Sequence, residues 1–387
     1  MVGRLTAAAL FSTCVSTAAA PAAVRVSPSR EARPAGAGGP ETAGDGEEMT
    51  QTTTARRRIF SGIKPSGHLT LGNYLGAVRR WVQEDQDNAD ALFCVVDLHA
   101  LTVEHDPARV RRLTRQAATL LLAAGLDPER CTLFVQSHVD EHARLSYLME
   151  CTATDGEMRR MIQYKEKAAR ERSSGTSVRL SLLTYPALMA ADILAYGTHE
   201  VPVGDDQTQH VELARDLAQR FNQRYGPVFT VPRATNPRVS ARVMDLQDPT
   251  SKMGKSHAET AGIVYLLDEP EVVRKKIMRA VTDSGTEVRY DRTARPGVAN
   301  LLDVLASCTD GKPEVLAGEF TSYGALKKAT AEAVLELLRP VRARHAELCA
   351  DPSYVEGVLR TGAERARGLA RPRVDAAYAA IGLLPPA

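Results

Sequence analysis

The sequence has little of the material from which metal-binding and membrane-spanning proteins are built. Its six cysteines are scattered, and no two of them form a C-x-x-C pair, so neither zinc nor an iron–sulfur cluster is predicted. No uncharged apolar run reaches the roughly 20 residues that cross a bilayer. The net charge is only +2, which argues against a protein that coats nucleic acid non-specifically but permits a local basic surface. We predict a reduced, cytoplasmic protein without membrane association.

The first 54 residues differ in composition from the rest of the chain. Residues 1–48 are dominated by Ala, Gly, Pro, Ser and Thr and contain no lysine, which predicts a disordered extension over 1–54. Arg4 and the alanine-rich stretch after it faintly resemble a targeting peptide. Three interpretations stay open: a start codon assigned too early, with the true start at Met49, a disordered tail, and an organellar targeting segment.

From residue 55 onward, short apolar runs alternate with helical patterns. Residues 58–63, 91–96 and 131–136 are apolar runs of strand length, and an apolar stripe at helical spacing follows Asp106-Pro107. This alternation is typical of an α/β fold, and we predict a Rossmann-like domain with a parallel sheet over 55–257. The pattern over 258–387 is helical and charged, which predicts a mostly α-helical C-terminal domain.

The loop after the first predicted strand has the composition of a nucleotide site. Pro65, Ser66 and Gly67 precede Thr70-Leu71-Gly72-Asn73, and a helical pattern begins there. Glycine lets a backbone approach a ligand closely, and a helix N-terminus offers free N–H groups and partial positive charge. The alternative is a tight turn between a strand and a helix.

A second polar loop carries Lys252-Met253-Gly254-Lys255-Ser256. Its two ammonium groups could stabilise negative charge on a leaving polyphosphate. The loop imitates the end of a P-loop, but the first glycine of that motif is replaced by Pro249 and no apolar strand precedes it. The alternative is a solvated charged loop.

A third segment combines a phenol, a thioether and a carboxylate on one predicted helical face. Tyr185, Met189 and Asp192 are spaced i, i+4 and i+7, and Pro186 suits the start of that helix. An acid on an apolar face must meet a donor or a cation, either from a ligand or from an arginine elsewhere in the chain. Gln207 could reach the same ligand. His99, His105 and His138 are interpreted as packed or solvated, and no spacing predicts a protein-bound metal.

Together, and in this order, these segments resemble the bacterial-type tryptophanyl-tRNA synthetases, a family of class I aminoacyl-tRNA synthetases. The resemblance runs from about Arg57 to the C-terminus. The segments that carry it are 59–63 with 65–67, 70–74, 183–194, 201–207 continuing through 215–222, and 252–256.

The resemblance implies ATP-dependent activation of L-tryptophan, with Mg²⁺, and its transfer to tRNA(Trp) by a homodimer whose helical domain reads the anticodon. It implies catalytic roles for Lys252, Lys255, Thr70, Asn73 and Lys167. It implies ATP contacts from Lys64, Pro65, Ser66, Gly72, Asn73, Gly204, Asp205, Asp206, Val243, Lys252, Met253, Gly254, Lys255 and Ser256. In the tryptophan pocket, Asp192 would accept the indole N–H, Tyr185 and Gln207 would hold the α-amino group, and Met189, Val201 and Val203 would line the ring.

Two positions depart from the family pattern. Gly254 stands where K-M-S-K-S has serine, and Lys64 stands where the family usually has glutamine. We hypothesise that Lys64 makes the enzyme tolerant of inhibitors that mimic tryptophan. Two alternatives stay open at this point, namely the sister tyrosyl enzyme and a non-catalytic paralogue that binds RNA. The stretch 204–207 favours tryptophan, and the retained Asn73, Asp192 and paired lysines favour catalysis.

Overall fold

The computed structural model describes residues 56–204, 207–235, 243–254 and 261–384. In these ranges the chain forms one sheet of five parallel strands in the order β3-β2-β1-β4-β5. The strands are β1 (Arg58–Ile63), β2 (Asp90–Val95), β3 (Thr132–Val135), β4 (Glu200–Pro202) and β5 (Arg233–Thr235). The predicted parallel α/β fold is confirmed. The predicted disordered extension lies outside the described residues.

Helices cover the sheet and follow it in the chain. They are α1 (Leu71–Asn73), α2 (Gln86–Asn88), α3 (Pro107–Ala123), α4 (Glu141–Thr152), α5 (Asp155–Arg160), α6 (Ile162–Ser173), α7 (Leu180–Leu194), α8 (Thr208–Tyr225), α9 (Pro270–Met278), α10 (Pro296–Thr309), α11 (Pro313–Ala317), α12 (Tyr323–Ala350) and α13 (Pro352–Ala380). Wider π-helical turns at Tyr74–Val78 and Trp81–Asp85 lie between α1 and α2. Within the described ranges, no helix is long and apolar enough to cross a membrane.

The strands β1, β2 and β3 are buried on both faces of the sheet, which explains why they are mostly apolar runs. Ile59 belongs to the core on one face, and its neighbour Phe60 belongs to the core on the other, because successive side chains of a strand point to opposite sides. Burial on both sides fixes the register, since a slip by one residue would exchange the two faces.

Two helix starts show how local chemistry and packing compete. Helix α3 begins as predicted, with the Asp106 carboxylate accepting from the Ala108 N–H at 3.1 Å. The prediction that a helix starts at Pro186 is wrong, since α7 begins at Leu180 and contains Pro186. The earlier turn is apolar and packs Leu182 into the core, and this burial offsets the backbone hydrogen bond that proline cannot make.

The helices after residue 261 pack against the sheet region. Helix α12 contacts α3, and α13 contacts both β3 and α4. The approach of α13 is very close, because a Cβ added to Gly362 would lie 1.8 Å from the Leu133 carbonyl oxygen. One hydrophobic cluster therefore runs from Ile59 in β1 to Leu359 in α13. The C-terminal region is helical as predicted, and the domain boundary near residue 257 stays a prediction.

Candidate active site

The candidate site lies at the carboxyl ends of neighbouring parallel strands, where open α/β sheets bind ligands. The loop from Lys64 follows β1, the turn from Asp97 follows β2, and Gln136 follows β3. The first two of these segments are linked through Thr102. Its hydroxyl lies 3.5 Å from the Lys64 ammonium and donates to the His99 carbonyl at 2.9 Å.

The two loops predicted to bind ATP contact each other directly. Thr70 caps the helix that follows it, and its Oγ1 accepts the Asn73 N–H while the Asn73 side chain accepts the Thr70 N–H. The Thr70 hydroxyl donates to the Met253 carbonyl at 3.3 Å. Gly72 lies so close that an added Cβ would be 2.9 Å from the same oxygen. The helix N-terminus and the lysine loop thus form one surface.

A strand-like hairpin carries the lysine loop. The Val243 carbonyl accepts the Met253 N–H at 3.1 Å, and Met244 bridges Lys252 in antiparallel fashion. The buried Asn300 of α10 holds this hairpin with both ends of its amide, which bond the Met244 N–H and carbonyl at 2.8 and 3.1 Å. Lys252 and Gly254 are half-buried and Met253 is buried.

Some predicted site residues make no contact that assigns them a role, and others are not described. Pro65 is buried, and Ser66 and Gly204 are half-buried. The sequence-based predictions for Asp205, Asp206, Lys255 and Ser256 lie outside the described residues.

Asp192 lies at the centre of a fully buried polar cluster. Its Oδ1 accepts from Gln136 Nε2 at 2.7 Å and from His142 Nδ1 at 2.7 Å, and its Oδ2 accepts from His99 Nε2 at 2.8 Å. Burial by itself would raise the pKa of Asp192, but the His142 and His99 rings outweigh it and hold the pKa below its usual value. Among the described residues, the partners of Asp192 are two histidines and a glutamine, and the alternative of an arginine partner is not observed.

A second buried pair lies beside the first cluster. The Tyr185 ring packs edge-on against His99 with ring centroids 6.3 Å apart, and the Tyr185 hydroxyl is 2.8 Å from His210 Nε2. The Lys167 ammonium lies 5.2 Å from the centre of the Tyr185 ring. Burial, reinforced by the nearby charges of Lys167 and His99, lowers the pKa of His210 to about 3. His210 is therefore neutral at physiological pH.

The remaining residues predicted to contact tryptophan are buried around the same helix. Met189, Val201 and Val203 belong to the hydrophobic cluster that contains α7. Gln207 is buried, and its N–H donates to the Gly204 carbonyl at 2.9 Å. In the described part of the chain, no group of three or more His, Cys, Asp and Glu side chains could hold a metal ion.

Several polar residues of the site were not predicted from the sequence. His99 is packed, in agreement with one of its two interpretations, but its contact with Asp192 was not predicted. Gln136 follows a strand end. Neither His142 nor His210 is marked by a local pattern, because each is recognised only by a partner far away along the chain.

Comparison with known proteins agrees with this geometry. Residues 52–339 match the family of class I tRNA synthetases for tryptophan and tyrosine. The tryptophan–tRNA ligase 1 of Streptomyces avermitilis is 80% identical over 328 residues, which cover 85% of this chain and 99% of the relative. The tryptophanyl-tRNA synthetase structure from Mycoplasma pneumoniae has a TM-score of 0.79 at 37% identity and covers 85% of this chain and 98% of its own. A Campylobacter jejuni tryptophanyl-tRNA synthetase complexed with ADP and tryptophan has a TM-score of 0.73 at 31% identity, covering 84% and 100%.

The chain therefore belongs to the class I tRNA synthetases for tryptophan and tyrosine. Within that family it is a tryptophan–tRNA ligase, like the Streptomyces relatives of 80% and 78% identity. The similarity to tryptophan-specific relatives resolves the alternative of a tyrosyl enzyme.

Proposed function

We propose that the ligase first joins tryptophan to AMP and then transfers the tryptophanyl group to tRNA(Trp). A tryptophan carboxylate oxygen attacks the α-phosphorus of ATP in line, and the bond to the leaving pyrophosphate breaks. The ribose hydroxyl at the tRNA end then attacks the activated carbonyl, and AMP leaves. Neither step requires a covalent bond to the protein, so catalysis rests on positioning and on neutralising charge.

ATP would lie on the surface formed by Thr70, Gly72 and the lysine loop. The close approach of Gly72 to the lysine loop would place the phosphates beside the start of α1, and Lys252, Lys255 and Lys167 would balance charge on the leaving pyrophosphate. Val243 would contact the adenine, and the residues 204–206 the ribose. Mg²⁺ bound by the phosphates would supply further charge neutralisation. The ADP in the Campylobacter relative supports a nucleotide in this fold.

The observation that carries this proposal is the buried, ionised Asp192. An ionised carboxylate accepts about four hydrogen bonds, and the described donors use two positions on Oδ1 and one on Oδ2. The fourth direction, on Oδ2, suits the indole N–H of tryptophan. Tyr185 and Gln207 would bind its α-amino group. Phenylalanine cannot donate to Oδ2, and sites built around a polar substrate atom reject such analogues by roughly 10⁴–10⁵, so no editing domain is required.

The test is ATP–pyrophosphate exchange measured with tryptophan, tyrosine and phenylalanine. We expect exchange with tryptophan alone. Equal exchange with tyrosine would contradict the assignment of Asp192, and tRNA binding without any exchange would indicate a non-catalytic paralogue.

We also propose that Lys64 makes the enzyme tolerant of tryptophan-mimicking inhibitors. The Lys64 side chain is buried, and Thr102 links it to the segment that carries His99, so its charge borders the expected amino-acid pocket. In Lys64→Gln we expect inhibition constants of such mimics to fall more than the tryptophan KM. Equal shifts in both would refute this proposal.

We further propose that the enzyme works as a homodimer. Tyr147, Ile162 and Leu180 are large apolar side chains that are 66%, 58% and 73% exposed, and they lie on the helices α4, α6 and α7. Helix α7 contacts both α4 and α6, so a second copy of the chain would cover these exposed apolar side chains together. Sedimentation of the wild type should give a dimer, and Ile162→Asp with Leu180→Asp should give monomers. Leu384→Asp, at an exposed leucine elsewhere, is the control. A monomeric wild type would refute the proposal.

A further inference from the structure

His142 is a fully buried histidine whose two ring nitrogens both have partners. It is the second residue of α4, and its ring is stacked against Phe134 with centroids 6.0 Å apart. Its Nδ1 is 2.7 Å from Asp192 Oδ1, and its Nε2 is 2.7 Å from the Tyr196 hydroxyl. The ring therefore bridges a carboxylate and a phenol.

The partners determine where the ring carries its proton. An ionised carboxylate can only accept, so His142 Nδ1 must carry a hydrogen. With that hydrogen on Nδ1, Nε2 can accept from the Tyr196 O–H. A ring that carries its hydrogen on Nδ1 satisfies both contacts.

Tyr196 is itself held firmly on the sheet. It is fully buried, it stacks on Phe60 of β1 with centroids 5.7 Å apart, and it packs edge-on against Phe134 of β3 at 5.7 Å. The path from these strands through Tyr196 and His142 to Asp192 contains rings and hydrogen bonds only. It leaves the carboxylate little freedom to rotate.

We propose that His142 is a positioning residue that sets the orientation of Asp192 for recognition of the indole N–H. His142 and Gln136 together occupy Oδ1, so Oδ2, which has one donor from His99, is the oxygen that would accept from the substrate. This inference rests on the proposed function of Asp192 and deepens it. It adds a residue that does not touch tryptophan to the determinants of tryptophan specificity.

The experiment compares two isosteric amides at this position. In His142→Asn the amide nitrogen takes the place of Nδ1 and still donates to Asp192. In His142→Gln it takes the place of Nε2, and the donor to Asp192 is lost. Pyrophosphate exchange gives the KM of tryptophan and of ATP and the preference for tryptophan over phenylalanine.

We expect His142→Gln to raise the tryptophan KM by about 10–100-fold, which is the usual effect of losing a hydrogen bond to a charged group. The ATP KM should stay within about twofold of wild type, since the residues proposed to bind ATP lie elsewhere. His142→Asn should keep the tryptophan KM within about fivefold of wild type. Tyr196→Phe, which frees the ring but keeps its shape, should fall between the two variants.

Two results would overturn the inference. One is equal tryptophan KM values in the Asn and Gln variants, and the other is a parallel loss for tryptophan and ATP, which would indicate a role in packing alone. The variant Asp192→Asn distinguishes a wrong role for His142 from a wrong function for Asp192. If Asp192→Asn exchanges tryptophan normally, the function of Asp192 is wrong, and if it does not while both His142 variants do, only the role of His142 is wrong.

Discussion

Thr70 donates a hydrogen bond to the main-chain carbonyl of Met253, 183 residues further along the chain, at 3.3 Å. This contact joins the loop before α1 to the loop that carries Lys252. The contact holds the two loops next to each other within the protein, as charge stabilisation by preorganised groups requires.

Gly72→Ala should separate these two loops. The new Cβ would lie 2.9 Å from the Met253 carbonyl oxygen, so this backbone must move. We expect kcat for pyrophosphate exchange to fall about 10-fold or more and the ATP KM to rise, because sub-ångström positioning matters for in-line transfer. Gly324→Ala is the control, since nothing lies within 4 Å of its added Cβ. Wild-type ATP kinetics in Gly72→Ala would show that the close approach has no role in catalysis.

Asp192→Asn should weaken tryptophan use selectively. An amide has the shape of the carboxylate, but its NH₂ group must face one of the donors on Gln136, His142 or His99. We expect kcat/KM for tryptophan to fall by roughly 10–100-fold, as for loss of a hydrogen bond to a charged group, with an unchanged ATP KM. An equal fall for both substrates, measured by exchange at varied concentrations, would indicate general damage to the fold.

His210 should make the free energy of unfolding depend on pH. Its pKa is lowered to about 3 in the folded protein against about 6.5 when unfolded. Between pH 6.5 and 3 the unfolded state therefore binds more protons at this residue than the folded state does. The contribution of His210 to the free energy of unfolding is complete above pH 6.5 and is lost as the pH falls towards 3. Between pH 6.5 and 5 the loss from this one residue should be about 2 kcal/mol. Urea titrations of wild type and His210→Gln should converge as the pH falls, and parallel curves would contradict the prediction.

Two glycines of α13 should respond oppositely to alanine. Gly362→Ala would place a Cβ 1.8 Å from the Leu133 carbonyl oxygen, and overpacking of this kind costs about 1–3 kcal/mol. Gly368→Ala meets nothing within 4 Å and should stabilise the helix by about 0.5–1 kcal/mol. Thermal denaturation of both variants measures the difference. A neutral Gly362→Ala would mean that α13 does not press against β3.

The α/β alternation could be predicted because burial on both faces leaves an apolar run that is visible locally. The loops with Gly72 and Lys252 could also be found, since glycine before a helix and two lysines around a glycine are visible within a short segment. The hydrogen bonds of Asp192 could not be predicted, because its partners lie 93, 56 and 50 residues away along the chain. The prediction that a helix starts at Pro186 is wrong because burial of Leu182 in the core extends α7 by residues that precede the proline.

The seating of α13 on β3 has a consequence for synthesis on the ribosome. β3 is the last strand on its side of the sheet, and an uncovered outer strand invites pairing with other chains. The helix that shields it is translated long after the strand itself. While the ribosome is between the two, the nascent chain exposes this strand, and chaperone capture during that interval should depend on how soon residues 352–380 emerge.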